Sequence, residues 1–186
     1  MNSKRILWIT QTAIFIALLV SAQAFTRPLG QFVTGSSVNF ILVVSCILIG
    51  LSSAAVVAVV SPIFAFLIIG APAFPVIIPF IMLGNLALVT AFHFISGKSF
   101  VNLNKSSYIR ICIAAVTGSF LKFLVLWIGI VQVALSIIPD LRQPQIDAMS
   151  AAFSWPQLVT ALIGSGLAII IMPTLMKALK HSRQGS

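Results

Sequence analysis

Long apolar blocks separated by short polar interruptions make up most of this 186-residue chain, and across those blocks the only unambiguously charged side chain is Lys122, in VTGSFLKFLVLWIG. A charge in hydrocarbon is expensive, and a helix crossing a core ~30 Å thick needs about 20 apolar residues, with about 17 as the lower limit. The pattern predicts an all-α polytopic membrane bundle of six spans, near 7–25, 36–51, 53–70, 76–95, 108–134 and 155–176. The second and third spans share one apolar run from Val38 to Gly70, roughly 50 Å of helix at 1.5 Å per residue and too long for one crossing. Gly50 can end a helix in the left-handed conformation, and Ser52 or Ser53 can cap the next.

The loops test that count, because Lys and Arg accumulate on the cytoplasmic side of a threaded chain. With the N-terminus inside, the inner segments hold Lys4, Arg5, Lys98, Lys105, Arg110, Lys177, Lys180 and Arg183, and the outer loops hold Arg27 and Arg142. Eight against two predicts an even number of spans with both termini cytoplasmic. Both acids, Asp140 and Asp147, fall in the last outer loop. Lys4 and Arg5, the stretch Ile6 to Val20 and Ala22-Gln23-Ala24 also have the form of a secretory signal. Gln11-Thr12 inside the apolar stretch argues against cleavage, which would leave five spans.

Composition narrows the class. Hydrophobic residues are 60% of the chain, charged residues 7%, and the mean hydropathy is +1.16, unlike any ordinary soluble domain. A net charge of +9 would suggest nucleic acid in a soluble protein. Here the cations flank apolar runs, so orientation in the bilayer accounts for them and no nucleic-acid partner is expected. Cys46 and Cys112 lie inside apolar segments and read as small buried hydrophobes. The chain has no glutamate and its two aspartates share one loop, so no metal site, no cofactor and no metal-dependent enzyme is expected. His93 and His181 are isolated, at a span end and in the basic tail, and read as interfacial. There is no glycine-rich phosphate loop with its lysine and no intramembrane acid for a proton relay. Binding, passage or scaffolding remains, with energy supplied from elsewhere.

Polar and aromatic residues gather toward the outer half. The first outer loop, Thr26 to Ser36, is too polar for lipid and rich in Gly and Pro, which suits a lid carrying Arg27, Gln31 and Thr34. Asn39 opens the second span and Asn85 lies within the fourth, either as interhelical glue or as a substrate contact. Trp155, Pro156 and Gln157 open the sixth span after Ser154, a candidate cap; Trp155 suits a headgroup anchor and a pocket wall equally. Trp127 suits packing or lipid contact better than ligand stacking. Gly70, Pro72, Pro75 and Pro79 break the third outer connection, and irregular backbone at membrane depth survives only when buried in protein or facing a wet cavity. Lys122 must face protein or water, with a substrate anion, backbone carbonyls or no partner at all as its alternatives.

Small residues recur every four positions at Ala13, Ala17 and Ser21 on the first span, and at Ala114/Gly118 and Ala115/Ser119 on the fifth, with Gly164 and Gly166 on the sixth. Such faces admit another helix closely. Internal packing is expected on the fifth and sixth spans, and an exposed docking stripe is open for the first.

These features together resemble the substrate-binding S component of energy-coupling factor transporters, the bacterial vitamin importers. The resemblance covers essentially the whole chain: six spans, both ends inside, a long capping loop after the first helix, and Ala13-Ile14-Phe15-Ile16-Ala17 standing as that family's AxxxA motif. Gly35-Ser36-Ser37-Val38-Asn39-Phe40 and Phe153-Ser154-Trp155-Pro156-Gln157 also look like S-component sequence. The resemblance implies docking of Ala13 and Ala17 on a membrane coupling subunit, an ATPase pair on separate chains, and transport by toppling in the bacterial plasma membrane. It implies a vitamin or related micronutrient bound from outside, under the first loop and among the outer parts of the fourth to sixth spans. The competing readings are a membrane scaffold without ligand and a solitary small carrier.

Overall fold

The computed structural model describes residues 3–97, 99–100 and 103–184, with side chains as far as Ala178. Lys98 and the side chains of Lys180, His181 and Arg183, counted above among the inner polar residues, lie outside the described set. The described chain is 89% helical with no strand. It runs α1 (Ser3–Thr26), α2 (Gln31–Ile49), α3 (Leu51–Ile69), α4 (Ile78–Ser96) and α5 (Lys105–Leu126). A π-helical segment, Trp127–Ala134, follows directly, then a last turn α6 (Leu135–Ile137), a short helix α7 (Gln143–Ala152) and the long α8 (Trp155–Gln184). Six of these stretches are long and apolar enough to cross a membrane, so the chain is a six-helix, multi-pass membrane bundle.

Gly50 breaks the long apolar run as expected, but not in the left-handed helical conformation. It sits at φ 96° and ψ 173°, an extended backbone with positive φ that a side chain disfavours. Neither serine after it caps α3. Ser52 instead accepts a hydrogen bond from Trp8 Nε1 at 3.2 Å, and the Ser53 hydroxyl pairs with that of Thr12, so both fasten α1 to α3. Gly70 closes α3 in the left-handed conformation, at φ 62° and ψ 33°.

The first connection departs most from expectation. α1 continues to Thr26, a 3-10 turn takes Arg27–Leu29, Gly30 reverses the chain at φ 91°, and α2 begins at Gln31. The long loop is therefore a tight turn, and the second span starts five residues earlier than its apolar boundary. Polar residues enter the helix because their hydroxyls find partners within it: Thr26 donates to the Ala22 carbonyl at 2.6 Å, Thr34 to Gly30 at 3.1 Å and Ser37 to Val33 at 2.8 Å.

Close helix approach sets the bundle. The most extensive contacts are α4 on α5 and α2 on α8. A Cβ at Gly118 would lie 3.1 Å from the Leu88 carbonyl oxygen, and one at Gly164 only 2.6 Å from that of Ser36, so both positions admit backbone where a side chain would stand. Ala114, Ala115 and Ser119 are buried beside Gly118, as the small-residue pattern on α5 predicts. Gly166 is the exception, with nothing within 4 Å of a Cβ. The main core joins Leu42, Val43, Val57, Leu88, Val89, Phe92 and Ile111. Outside it Leu67, Phe94, Ile113, Val116 and Ile170 are exposed, as expected where lipid is the solvent. Cys46 is buried and its thiol faces the Val89 carbonyl at 3.5 Å; Cys112, read from sequence as buried, lies on the exposed face of α5.

Candidate functional site

The end of the bundle made by the α1–α2 turn, the 70–77 connection and α7 holds a cavity of about 370 Å³, within the size range of small-molecule pockets. Its lining brings together Arg27, Gln31, Thr34, Asn39, Asn85, Lys122 and Gln157, seven of the nine residues singled out in the sequence as substrate contacts. All six crossing segments reach it, α1 through Gln23 and α3 through Pro62, Ala65 and Ile69, rather than the fourth to sixth alone.

Lys122 is the centre of the polar floor. It is 3% exposed, and its ammonium donates to Asn39 Oδ1 and Asn85 Oδ1, each at 2.6 Å. The partners left open by the sequence are thus two side-chain amides, from α2 and α4. Lysine offers three donors and no acceptor, so each amide must turn its oxygen toward Nζ and its nitrogen away. For Asn85 that nitrogen has a ready target. Pro62 interrupts the hydrogen-bond ladder of α3 because it has no N–H, which frees the Ala58 carbonyl one turn earlier, and Asn85 Nδ2 lies 3.4 Å from it. A proline in one helix thereby sets the orientation of an asparagine in the next. Asn39 Nδ2, by contrast, has no hydrogen-bond partner although the residue is 1% exposed. Asn39 owes its place to α8: a Cβ on Gly164 would stand 2.7 Å from the Asn39 Cβ.

Apolar walls rise from this floor. Phe74, Ile77, Ile81, Leu126, Met149 and Phe153 line the cavity. At its rim an Arg27 guanidinium nitrogen donates to the Ile69 carbonyl at the end of α3, giving one of the carbonyls freed at that broken connection its partner. Gln157 is buried and its Nε2 donates to the Ala152 carbonyl at 3.0 Å, tying α8 to α7. Ser154 does not cap α8; its hydroxyl turns back to the Ser150 carbonyl.

Trp127 and Trp155 do not line the cavity. Trp127 is 37% exposed and stacks on Phe123 with centroids 6.5 Å apart, and Trp155 is 61% exposed against Phe32 at 5.8 Å. Both stand on the outside of the bundle, the position their anchoring and packing alternatives require. Two contributors were missed in the sequence. Gln23 sits inside an apolar helix that gave no reason to prefer one face. The helix α7 was read as loop, although Pro144 near its start, Gln145 Oε1 accepting from the Arg142 N–H at 3.0 Å, and a Gln143 to Asp147 bond at 2.9 Å are ordinary helix-start chemistry.

Ala13, Ala17 and Ser21 lie elsewhere, exposed along a shallow apolar groove between α1 and α3 that Phe64 and Ile68 complete. Among the described residues no cluster of three or more His, Cys, Asp or Glu could hold a metal ion. Comparison with known protein families, with curated proteins and with solved structures finds no match to this chain.

Proposed function

We propose that the chain is a substrate-binding membrane subunit of the energy-coupling factor type, which takes a vitamin or related micronutrient into the cavity and depends on a coupling subunit and two ATPase subunits for transport. It is not itself an enzyme in this reading. One observation carries the proposal: polar residues scattered over α1, α2, α4, α5 and α8 converge on one cavity with apolar walls, at the end of the bundle away from Lys4, Arg5, Lys105, Arg110 and Lys177. That distribution of cations puts both termini on the cytoplasmic side of the bacterial plasma membrane and the cavity on the outside. The exposed groove with Ala13, Ala17 and Ser21 supports docking of a partner helix on α1, because large side chains are missing where a second helix would approach.

Reconstitution tests it. The purified chain in liposomes is expected to retain a small molecule from a metabolite extract without accumulating it, and to accumulate it once the coupling subunit, the ATPase pair and ATP are added. Uphill uptake by this chain alone under a proton gradient would make it a solitary carrier. Retention of no small molecule at all would leave the scaffold reading.

A further inference from the structure

The floor of the cavity has donors to spare and no charge to match them. Lys122 Nζ makes two hydrogen bonds, to Asn39 and Asn85, and carries three N–H groups. Asn39 Nδ2 makes none. Because the two heteroatoms of one amide share a carbon, the free Asn39 nitrogen lies beside the ammonium that its oxygen holds, and both residues line the cavity. The acceptors nearby are used up: the Asn85 oxygen on Lys122, and the Ala58 carbonyl on Asn85. Amide oxygens satisfy hydrogen bonds of an ammonium but do not neutralise it, and the only acids, Asp140 and Asp147, are exposed in the connection around α7. Burying an ammonium without a counter-charge is costly, and so is burying an amide N–H without an acceptor. A single bound group removes both costs if it is anionic and has two acceptor atoms.

We propose that the cavity selects a small organic acid, whose carboxylate seats between Lys122 Nζ and Asn39 Nδ2 while its less polar body lies against Phe74, Ile77 and Phe153. This deepens the reading of the chain as a binding subunit and rests on it. Asn85 is a positioning residue in this arrangement. It is anchored to the carbonyl that Pro62 frees, and holds the ammonium toward the cavity.

The test uses the full chain in lipid nanodiscs and, as probe, the small-molecule extract of the cells that make it, in two portions, one untreated and one with its carboxylates converted to methylamides. After washing, bound compounds are released by denaturation and identified by mass spectrometry. The expected result is a carboxylic acid retained from the untreated portion, whose methylamide binds at least about 30-fold more weakly, as loss of a buried charge-assisted contact requires. Asn39→Asp, nearly isosteric, supplies the counter-charge from within. It is expected to fold at least as stably as the parent and to lose the acid by at least about 30-fold, since it also places a negative charge where the carboxylate sat. Lys122→Met gives the same loss from the other side. A retained compound without an acid group, equal retention of acid and methylamide, or a folded Asn39→Asp chain that keeps the acid would each overturn the inference and leave a binding subunit for another class of substrate. Retention of nothing from either portion by the parent chain would overturn the binding reading itself.

Discussion

Two helices carry the same alphabet of small side chains and put it to opposite uses. On α5, Ala114, Ala115, Gly118 and Ser119 are buried against α4 and its neighbours; on α1, Ala13, Ala17 and Ser21 recur with the same four-residue spacing and stay exposed. The difference lies in what surrounds the stripes. α1 is fastened to α3 by polar contacts on another face, Thr12 to Ser53 and Trp8 to Ser52, so the bundle closes without consuming its alanines. Four-residue spacing thus reports that a backbone can come close. Only the packing tells whether that backbone belongs to the same chain.

The contrast is broken most severely by filling the internal faces. Gly164→Leu and Gly118→Leu put a side chain onto the Ser36 and Leu88 carbonyls. Each is expected to cost about 3 kcal/mol or more, beyond the usual overpacking range because backbone rather than a movable side chain is struck, and to yield aggregated or poorly folded protein by size-exclusion chromatography. A much smaller loss is expected from separating α1 from α3. Thr12→Val leaves Ser53 without its partner and is expected to cost about 1 kcal/mol in a denaturant titration, with cavity residues still protected from labelling. On the external stripe, Ala13→Trp with Ala17→Trp is expected to leave the melting temperature and small-molecule retention unchanged while abolishing assembly with a coupling subunit. If that double variant unfolds instead, the stripe belongs to the bundle and the contrast fails. The mildest test is within one helix: Gly166→Ala, with nothing within 4 Å of the new methyl, is expected to stay within about 0.5 kcal/mol or gain slightly from helix propensity, whereas Gly164→Ala loses stability.

What could be read from the chain followed physical range. Span count, the break at Gly50 and the isolation of Lys122 depend on runs of apolar residues and local backbone, and all are written within a few neighbouring positions. The first connection misled because polarity alone was taken as a sign of loop, while Thr26, Thr34 and Ser37 satisfy their hydroxyls on carbonyls of their own turn and remain helical. The site residues Asn39, Asn85 and Lys122 were legible as polar atoms that apolar helices had to explain, but their mutual contact joins α2, α4 and α5 and follows from tertiary packing at Gly164 and Pro62. The two tryptophans show the complementary failure. Aromatic character said nothing about which side of the helix they occupy, and both face outward.

The π-helical segment has a bearing on how such a bundle varies between lineages. A π turn is commonly the trace of one residue inserted into an α-helix, and here it lies between Lys122 and α7, with Gly129 giving room to Phe80. Deleting one residue from Trp127–Ala134 would restore the α ladder and rotate everything that follows by roughly 100°. Met149, Ala152 and Phe153 would swing off the cavity while the Lys122 floor stayed in place. Single-residue insertions and deletions in this stretch are therefore an inexpensive evolutionary route to a new roof over an unchanged floor, and a lineage can change what it admits without altering the residues that hold its charge.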